Sequence, residues 1–297
     1  ALWQAYYIVQ KLKEAGHTTQ IVTIDTNGDK VLDVAIAKIG SKGVFTEEIE
    51  EQLQQGAIDI AVHSAKDMQS QLPAGFELIA FTEREVANDV LVSDDNSISL
   101  TDSSKPLRLG TSSARRVATL KHYYPHVETV EIRGNLQTRI RKMREGQCDA
   151  LLLAYAGVHR MGYDDMIVEK LSMDTFIPAV GQGSVAVEVH ESCDVTLRGI
   201  FREHLNHTHS ETCLLAERGF LRRLEGGCSI PAFAHAILDQ EQLHISGGII
   251  SLDGQERLVH RLEGTPAHAA QLGKQLANEL LAMGGEAILQ EIKAQQA

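Results

Sequence analysis

A cysteine on a two-glycine loop is the residue of this sequence best placed for covalent chemistry. Cys228 follows Gly226 and Gly227 in residues 224–231 (LEGGCSIP). The preceding segment has helical spacing of apolar residues, so Gly226 is suited to end a helix there, and Pro231 prevents the helix from resuming. Two adjacent glycines let the backbone bring the sulfur close to another molecule. The same pattern is also typical of an ordinary helix end followed by a half-buried cysteine.

The charges near Cys228 favour a thiol that is alkylated once over one that ionises at every turnover. A helix C-terminus and Glu225 both disfavour the thiolate, whereas Arg222 and Arg223 favour it. A cysteine–histidine hydrolase with Cys228 as nucleophile needs a histidine partner, and no motif supplies one. If Cys228 is functional, we therefore expect it to serve as a covalent tether.

A basic segment lies within an otherwise acidic chain. Residues 105–144 contain ten lysines and arginines against two acids, a local charge of +8, whereas the whole chain carries −12. The negative net charge argues against nonspecific binding of nucleic acid. A solvated helix face accounts for Arg141, Lys142 and Arg144. Arg115, Arg116 and Arg133 lie where strands meet helices, which favours a binding site for anions.

The start of one predicted helix combines several anion-binding groups. Residues 107–110 (LRLG) have the pattern of a strand, and Thr111 and Ser113 supply hydroxyls at the cap of the helix that contains Arg115 and Arg116. The free N–H groups of that helix, the hydroxyls and the two guanidiniums therefore converge on one point. Further candidates lie at the strand exits and helices that follow, namely Arg133 beside Gly134, Arg139 and Arg160.

Polar residues also follow the strand predicted at residues 57–62. Ser64, Lys66 and Asp67 come directly after it, at the edge of an α/β sheet where ligands usually bind. The carboxylate of Asp67 can hold a cationic substrate or stabilise positive charge as it develops. Alternatively, Lys66 and Asp67 form a neutral pair on the surface. Lys42 belongs to a glycine-punctuated loop that either covers this cleft or is a plain surface loop.

Alternating strand and helix patterns predict an α/β protein of several domains. At 297 residues the chain is long enough for two or three hydrophobic cores. The first elements are a helix over residues 1–16 and a strand over residues 20–25. Crossing segments near residues 82–89 and 176–183 indicate two lobes joined by a double hinge, with the site between them. The expected bounds are residues 1–83 with 183–204 for the first α/β lobe, 88–177 for the second, and 206–297 for a small α+β domain that contains Cys228.

Composition and motif content exclude several functional classes. A hydrophobic content of 43% with 23% charged residues is ordinary for a soluble globular protein, and no apolar run is long enough for a membrane span. The first residues have an amphipathic helix pattern and not that of a signal peptide. Four cysteines without a CxxC pair favour a reducing compartment, so we expect a cytoplasmic protein. We predict no metal site, and the glycine motif at residues 181–183 precedes a strand, which excludes a dinucleotide fingerprint.

Six motifs together resemble the hydroxymethylbilane synthase (porphobilinogen deaminase) family over essentially the whole chain. They are residues 40–45 (GSKGVF), 63–67 (HSAKD), 110–116 (GTSSARR), 133–135 (RGN), 178–183 (PAVGQG) and 224–228 (LEGGC). The resemblance implies two lobes like those of periplasmic binding proteins and a third domain that carries the cysteine. It also implies condensation of four porphobilinogens head to tail, with loss of ammonia, into the linear tetrapyrrole hydroxymethylbilane. The growing chain would be held on a dipyrromethane cofactor, bound to Cys228 by a thioether.

The resemblance also implies roles for individual residues. Asp67 matches the family's catalytic aspartate, which hydrogen-bonds pyrrole N–H groups and stabilises a cationic intermediate. Each pyrrole carries an acetate and a propionate, so the growing chain needs many cationic donors. The residues implied to bind cofactor or substrate are Lys42, Ser64, Lys66, Thr111, Ser113, Arg115, Arg116, Arg133, Gly134, Arg139, Arg160 and Gln182. The expected protein is a monomer that uses the small molecule porphobilinogen, without nucleic-acid or membrane partners.

Two features depart from the family pattern. The family has a strand and an Arg-x-Ser motif just before Ala-Leu-x-Gln, whereas this sequence starts at that point, and a chain without the segment is expected to lose a strand and an arginine. Met68 and Gln69 stand where the family commonly has Val-Pro, which affects the stiffness of the loop. The main rival hypothesis is a two-lobed solute-binding or sensor protein, which would bind anions reversibly and form no covalent adduct.

Overall fold

The computed structural model describes residues 2–24, 46–225 and 230–296. Lys42 and Cys228 lie outside these ranges, and so do the two glycines that precede Cys228. All the other residues predicted to belong to the site lie within the described ranges.

Strands and helices alternate through most of the described chain. The strands are β1 Ala61–Ser64, β2 Phe76–Phe81, β3 Asp89–Val92, β4 Leu107–Gly110, β5 Val127–Val130, β6 Ala150–Ala154, β7 Ile167–Lys170, β8 Val185–His190, β9 Ala232–Asp239, β10 Gln242–Ile250 and β11 Arg257–Gly264. The α-helices are α1 Leu2–Glu14, α2 Glu47–Gln54, α3 Ala114–Tyr123, α4 Leu136–Arg144, α5 Tyr155–Arg160, α6 Val195–Leu205, α7 Thr208–Arg223, α8 Ala269–Leu280 and α9 Glu286–Gln296. None of the described helices is both long and apolar enough to cross a lipid bilayer.

The first sheet has the strand order β1-β8-β2, with β8 antiparallel to both neighbours. Its apolar side chains pack against Ile8 and Leu12 of α1 and against Phe201 and Leu205 of α6. The predicted helix over residues 1–16 is confirmed by α1. The predicted strand over residues 20–25 is wrong for residues 20–24, which form no strand. A strand needs a neighbour for its N–H and C=O groups, and no described strand pairs with this segment.

The second sheet has the order β5-β4-β6-β3-β7. Strand β4 runs parallel to β5 and to β6, whereas β3 is antiparallel to β6 and β7. The strands β3, β4 and β6 are largely buried, as expected for a sheet that is covered on both faces. Because parallel strands end at the same edge, the segments that follow β4, β5 and β6 lie side by side. Thr111, Arg133 and Arg160 all belong to those segments.

The third sheet is antiparallel, in the order β11-β10-β9, and helices α7 and α8 pack on it in one apolar cluster. The two helices touch through glycines: a Cβ on Gly273 would lie 1.8 Å from the carbonyl oxygen of Ala216, so only glycine permits this approach. Two sheets with their surrounding helices, together with this smaller unit, confirm the predicted α/β fold class. The residue bounds of the three domains stay a prediction.

The carboxylate of Glu217, on α7, joins this third unit to both crossing segments. It is fully buried, and it accepts hydrogen bonds from the guanidinium of Arg84, from the backbone N–H of Gly181 (2.8 Å) and from the backbone N–H of Ala236 (2.8 Å). Arg84 lies between β2 and β3, Gly181 lies just before β8, and Ala236 lies on β9. One buried ion pair therefore connects the third unit to the two segments that were predicted to form the hinge.

His235, beside this ion pair, gives the fold a predictable pH dependence. The pKa of His235 is lowered from 6.5 to about 4, mainly by burial and also by the charge of Arg84, whereas the charge of Glu217 acts in the opposite direction. The unfolded chain binds a proton at this residue below about pH 6.5, and the folded chain does so only near pH 4. As the pH falls from 6.5 to 4, we expect the free energy of unfolding to fall by up to about 3 kcal/mol because of this residue.

Chemical denaturation of the parent and of His235→Gln at pH 7, 5 and 4 measures this effect. The variant has no imidazole to titrate, so its stability is expected to fall less steeply between pH 6.5 and 4. Equal slopes for the two proteins would show that His235 is not held neutral by burial.

Candidate active site

Asp67 lies immediately beyond a strand of the first sheet, as predicted, but that strand is Ala61–Ser64 and not residues 57–62. Strand β1 leads directly into a 3₁₀ turn formed by Ala65–Asp67. The Asp67 side chain is exposed, and among the described residues no group forms a hydrogen bond or an ion pair with it. Its charge nonetheless raises the pKa of Lys66 and of Arg139, so both cations lie within electrostatic reach. The carboxylate is thus accessible to a ligand and flanked by positive charge.

Lys66 connects Asp67 to a group of arginines. Burial lowers the pKa of Lys66, Asp67 raises it, and the charge of Arg116 lowers it again. No described residue accepts a hydrogen bond from the Lys66 ammonium. An anion bound at this point would offset the cost of placing Lys66 near Arg116, because it would pair with a cation that is otherwise poorly solvated. The alternative of a simple neutral surface pair is not supported, because Lys66 and Asp67 form no ion pair with each other in the described part of the chain.

Arg139 is the second cation beside Asp67. It lies on α4, is half-buried, and donates from Nε to the carbonyl oxygen of Gly134 (2.7 Å). Burial lowers the pKa of Arg139, Arg116 lowers it further, and Asp67 raises it. Its two terminal nitrogens have no hydrogen-bond acceptor among the described residues. A guanidinium held at Nε with both terminal nitrogens open is suited to bind a carboxylate by two parallel hydrogen bonds.

Gly134 gives the backbone the shape that Arg139 requires. Its φ is +116°, which L side chains rarely adopt, and a Cβ there would lie 2.6 Å from the Thr138 side chain. Arg133, next to it, forms an ion pair with the exposed Glu131 (Nε to Oε1, 2.6 Å). Part of the charge of Arg133 is therefore already neutralised.

The two adjacent arginines of α3 point into the protein. Arg115 and Arg116 are both buried, and each donates from one terminal nitrogen to the carboxylate of Asp89, at 2.8 and 2.7 Å. Their other terminal nitrogens donate to the carbonyl oxygens of Ile177 (2.9 Å) and Leu152 (3.0 Å). The buried Nε atom of each has no partner among the described residues. The sequence predicted this pair at an anion site, but it did not predict that Asp89 would hold the pair.

Hydroxyl groups at the start of α3 have mainly local partners. Ser113 is the N-cap of the helix, and its side chain accepts from the backbone N–H of Arg116, which confirms the predicted cap. Thr111 is buried, and its Oγ1 accepts from the backbone N–H of Ser113 (3.3 Å). At the end of β1, Ser64 accepts from the side-chain amide of Gln4 (2.8 Å). Ser113 and Thr111 therefore order the backbone at the start of α3, whereas Ser64 links β1 to α1.

Arg160 and Gln182 lie at the crossing segments. Arg160 donates to the carbonyl oxygen of Gly183 (2.7 Å), and its guanidinium lies 5.0 Å from the ring centroid of Trp3. Gln182 is buried, and its amide donates to the carbonyl oxygen of Ala87 (2.6 Å) and to Asp89 (2.9 Å). The structure thus brings Asp67, Lys66, Arg115, Arg116 and Arg139 into one electrostatic group. Gln182 is connected to this group through Asp89, Ser64 lies two residues before Lys66, and Arg160 contacts Gly183, next to Gln182.

Comparison with known proteins decides the family. Residues 1–198 match the family model described as "Porphobilinogen deaminase, dipyromethane cofactor binding domain", and residues 211–282 match "Porphobilinogen deaminase, C-terminal domain". This chain belongs to the porphobilinogen deaminase family. The predicted family is therefore confirmed, and so is the predicted dipyrromethane cofactor, because the matched domain is the one that binds it.

Individual relatives match along nearly the whole length. A porphobilinogen deaminase from Desulfosudis oleivorans is 58% identical over 296 residues, which cover 100% of this chain and 96% of the relative. One from Cytophaga hutchinsonii is 54% identical over 293 residues, 99% of this chain and 94% of the relative.

Similar solved structures include periplasmic and substrate-binding domains. The VFT2 domain of Bordetella pertussis BvgS matches with a TM-score of 0.40 and 18% identity, over 68% of this chain and 76% of that domain. The second substrate-binding domain of a putative amino acid ABC transporter from Streptococcus pneumoniae matches with a TM-score of 0.41 and 13% identity, over 67% of this chain and 80% of that domain.

The described residues fit a dipyrromethane. Its two pyrroles carry N–H donors and several carboxylates, so its site needs at least one acceptor and several cations. Asp67 is an acceptor without a partner among the described residues, and Lys66 and Arg139 are donors in the same condition. The buried Arg115 and Arg116 add positive charge to the same group from within the protein.

Proposed function

We propose that this chain condenses four porphobilinogen molecules head to tail, with loss of ammonia, into hydroxymethylbilane. The observation that carries the proposal is the exposed carboxylate of Asp67, which has no partner among the described residues and lies beside Lys66 and Arg139, in a chain that belongs to the porphobilinogen deaminase family. A carboxylate in this setting accepts hydrogen bonds from pyrrole N–H groups and stabilises the positive charge that develops when ammonia leaves the substrate methylene. The neighbouring cations bind the carboxylates of the same pyrrole.

Cys228 is proposed as the attachment point of the cofactor. Held there by a thioether, dipyrromethane supplies the free pyrrole carbon to which the first substrate is joined. Residue 228 belongs to the segment between α7 and β9, so the polypeptide on both sides of it is anchored in the third unit. A tether of this kind is alkylated once and does not require a thiol of low pKa, which agrees with the charges predicted near it.

The remaining cations are proposed to bind the carboxylates of the cofactor and of the growing chain. Lys66 and Arg139 do so directly with their unpartnered donors, and Arg115 and Arg116 contribute positive charge from within. Family likeness supports the same role for Lys42, Thr111, Ser113, Arg133 and Arg160. Gln182 and Ser64 are proposed to support the site through the contacts described above.

The same three-part organisation is proposed as the structural basis of elongation. Residues 1–83 with 183–204 form one lobe, residues 88–177 form the second, and residues 206–297 form the domain with Cys228. The separate sheets support this division, and the Arg84–Glu217 ion pair supports a hinge that the third domain contacts. We further propose a monomeric, cytoplasmic enzyme without nucleic-acid partners, supported by the net charge of −12 and the absence of CxxC pairs.

Replacing Arg139 tests the anion-binding role. Arg139→Gln removes the two open guanidinium donors, so we expect KM for porphobilinogen to rise about 10- to 100-fold, the cost of losing hydrogen bonds to a charged group. The matched control is Arg141→Gln on the same helix, because Arg141 is exposed and its one ion-pair partner within the described ranges is Glu145. Steady-state kinetics of both variants measure the effect. A KM within threefold of the parent for Arg139→Gln would remove Arg139 from the site.

Product analysis tests the function itself. The purified protein is incubated with porphobilinogen, and ammonia and the linear tetrapyrrole are quantified by colorimetry and by mass spectrometry. We expect both products to accumulate, with ammonia in fourfold excess over the tetrapyrrole. Saturable binding of porphobilinogen without ammonia release would instead support a solute-binding protein.

A further inference from the structure

Asp89 is a buried charged residue that pairs with two members of the cationic group around Asp67, Arg115 and Arg116. It lies at the start of β3, is fully buried, and accepts hydrogen bonds from Arg115 (2.8 Å), Arg116 (2.7 Å) and the amide of Gln182 (2.9 Å). Its three partners come from α3 and from the segment before β8, which are far apart in the sequence. Neither the predicted site nor the proposed function includes Asp89.

The contacts of Asp89 fix the direction of both guanidiniums. Each arginine is held at two nitrogens, one by Asp89 and one by a backbone carbonyl, of Ile177 or of Leu152. A planar guanidinium held at two of its three nitrogens cannot turn, so the third nitrogen also has a defined position. In both arginines that third nitrogen is the buried Nε without a described partner.

Asp89 also sets the charge of the group. Two guanidiniums side by side in a buried place repel each other, and one carboxylate between them removes most of that cost. One positive charge remains from the three residues, and Lys66 lies close enough for its charge to interact with Asp89 and with both arginines. A surplus of positive charge in a rigid frame is what a site for carboxylates requires.

The frame is connected to the crossing segments as well. The Gln182 amide that donates to Asp89 also donates to the carbonyl oxygen of Ala87 (2.6 Å), so it spans both segments. If one crossing segment moved relative to the other, Asp89, the shared partner of the two arginines, would therefore move as well.

We infer that Asp89 is a positioning residue: it holds Arg115 and Arg116 at the place from which their positive charge attracts the carboxylates of the cofactor and of substrate pyrroles. This inference rests on the proposed function, and it concerns a residue that acts through the arginines without touching the pyrroles. A purely structural ion pair would contribute to stability alone. A positioning residue also changes how fast the cofactor is acquired and how tightly substrate binds.

The test uses Asp89→Asn and Asp89→Glu in the full-length protein, with Asp149→Asn as the matched control. Asp149 forms an ion pair with Arg108 (2.7 Å) in the same sheet, but it is half-exposed and lies outside the group around Asp67. Three quantities are measured: the melting temperature, the rate at which cofactor-free protein gains the mass of a dipyrromethane when given porphobilinogen, and KM. Kinetics are recorded at a temperature where every variant is folded.

Asp89→Asn is expected to load cofactor at least about tenfold more slowly and to raise KM at least about tenfold, because misplacement of a binding group by about 1 Å has effects of this size or larger. Asp89→Glu restores the charge, so it is expected to recover part of both losses, and Asp149→Asn is expected to match the parent. Loading and KM within threefold of the parent in a folded Asp89→Asn protein would overturn the inference.

If Asp89→Asn fails to fold, Asp89→Glu decides. Its carboxylate is displaced by one methylene, so a folded variant with KM at least about fivefold higher supports positioning, and one with KM within twofold of the parent overturns it. Failure of the proposed function would be seen separately, because the parent protein itself would then release no ammonia from porphobilinogen.

Discussion

Asp67→Asn is expected to lower kcat at least about 100-fold while leaving the fold unchanged. The amide has nearly the same shape as the carboxylate, but it carries no charge to stabilise the cation that forms when ammonia leaves. Because Asp67 is exposed and has no hydrogen-bond or ion-pair partner among the described residues, the substitution breaks no contact in that part of the chain. Steady-state rates at equal cofactor content measure the loss of kcat, and the melting temperature shows whether the fold is unchanged.

Asp59→Asn provides the matched control for Asp67→Asn. Asp59 is also exposed and lies just before β1, at the opposite end of the strand that leads to Asp67. It is expected to retain the activity of the parent. If Asp67→Asn keeps kcat within a few-fold of the parent, then Asp67 does not provide the electrostatic stabilisation assigned to it.

Cys228→Ser is expected to fold and to contain no covalently bound pyrrole, so that turnover is abolished. A serine hydroxyl cannot form the thioether, and Cys148 and Cys213 cannot replace Cys228 because they are buried. Burial raises the pKa of the Cys213 thiol to about 11, which further lowers its reactivity. Reaction of the denatured variant with Ehrlich reagent, alongside a tetrapyrrole assay, measures both consequences.

Cys193→Ser is the control for this substitution. Cys193 is the more accessible of the cysteines that the structure describes, and it lies between β8 and α6, away from Asp67. The control is expected to give the coloured adduct and the activity of the parent. A coloured adduct from Cys228→Ser would show that the cofactor is attached elsewhere.

Local features of the site could be predicted from the sequence because local interactions create them. Ser113 caps α3 by accepting from the N–H of Arg116, three residues away, and this pattern can be identified in the sequence. Asp67 follows a short strand, and the ends of strands are where ligands usually bind. Gly134 has a positive φ at the entry to α4, which agrees with a glycine at that point of the motif.

The partners of the buried cations could not be predicted in the same way. Asp89 is 26 residues before Arg115 and 93 residues before Gln182, and nothing in its own segment distinguishes it from an acid at the edge of a strand. Its role depends on the packing of β3 between β6 and β7. A possible signal was the polar residue itself, since a charge beside three buried apolar residues needs a partner.

The incorrect prediction of a strand at residues 20–24 has a related cause. Alternation of apolar residues indicates which side chains are suited to a sheet, but a strand also needs a neighbour along its edge. Residues 20–24 have none among the described strands. Glu217 illustrates the opposite case, because its position within an apolar helix face gave no indication of the donors that reach it from Arg84, Gly181 and Ala236.

The covalent tether is the central claim of this account, and the intact mass of the denatured protein tests it most directly. We expect a mass excess equal to two linked pyrroles, and peptide mapping is expected to place that excess on the peptide that contains Cys228. A protein whose Cys228 stays unmodified after incubation with porphobilinogen would contradict the account.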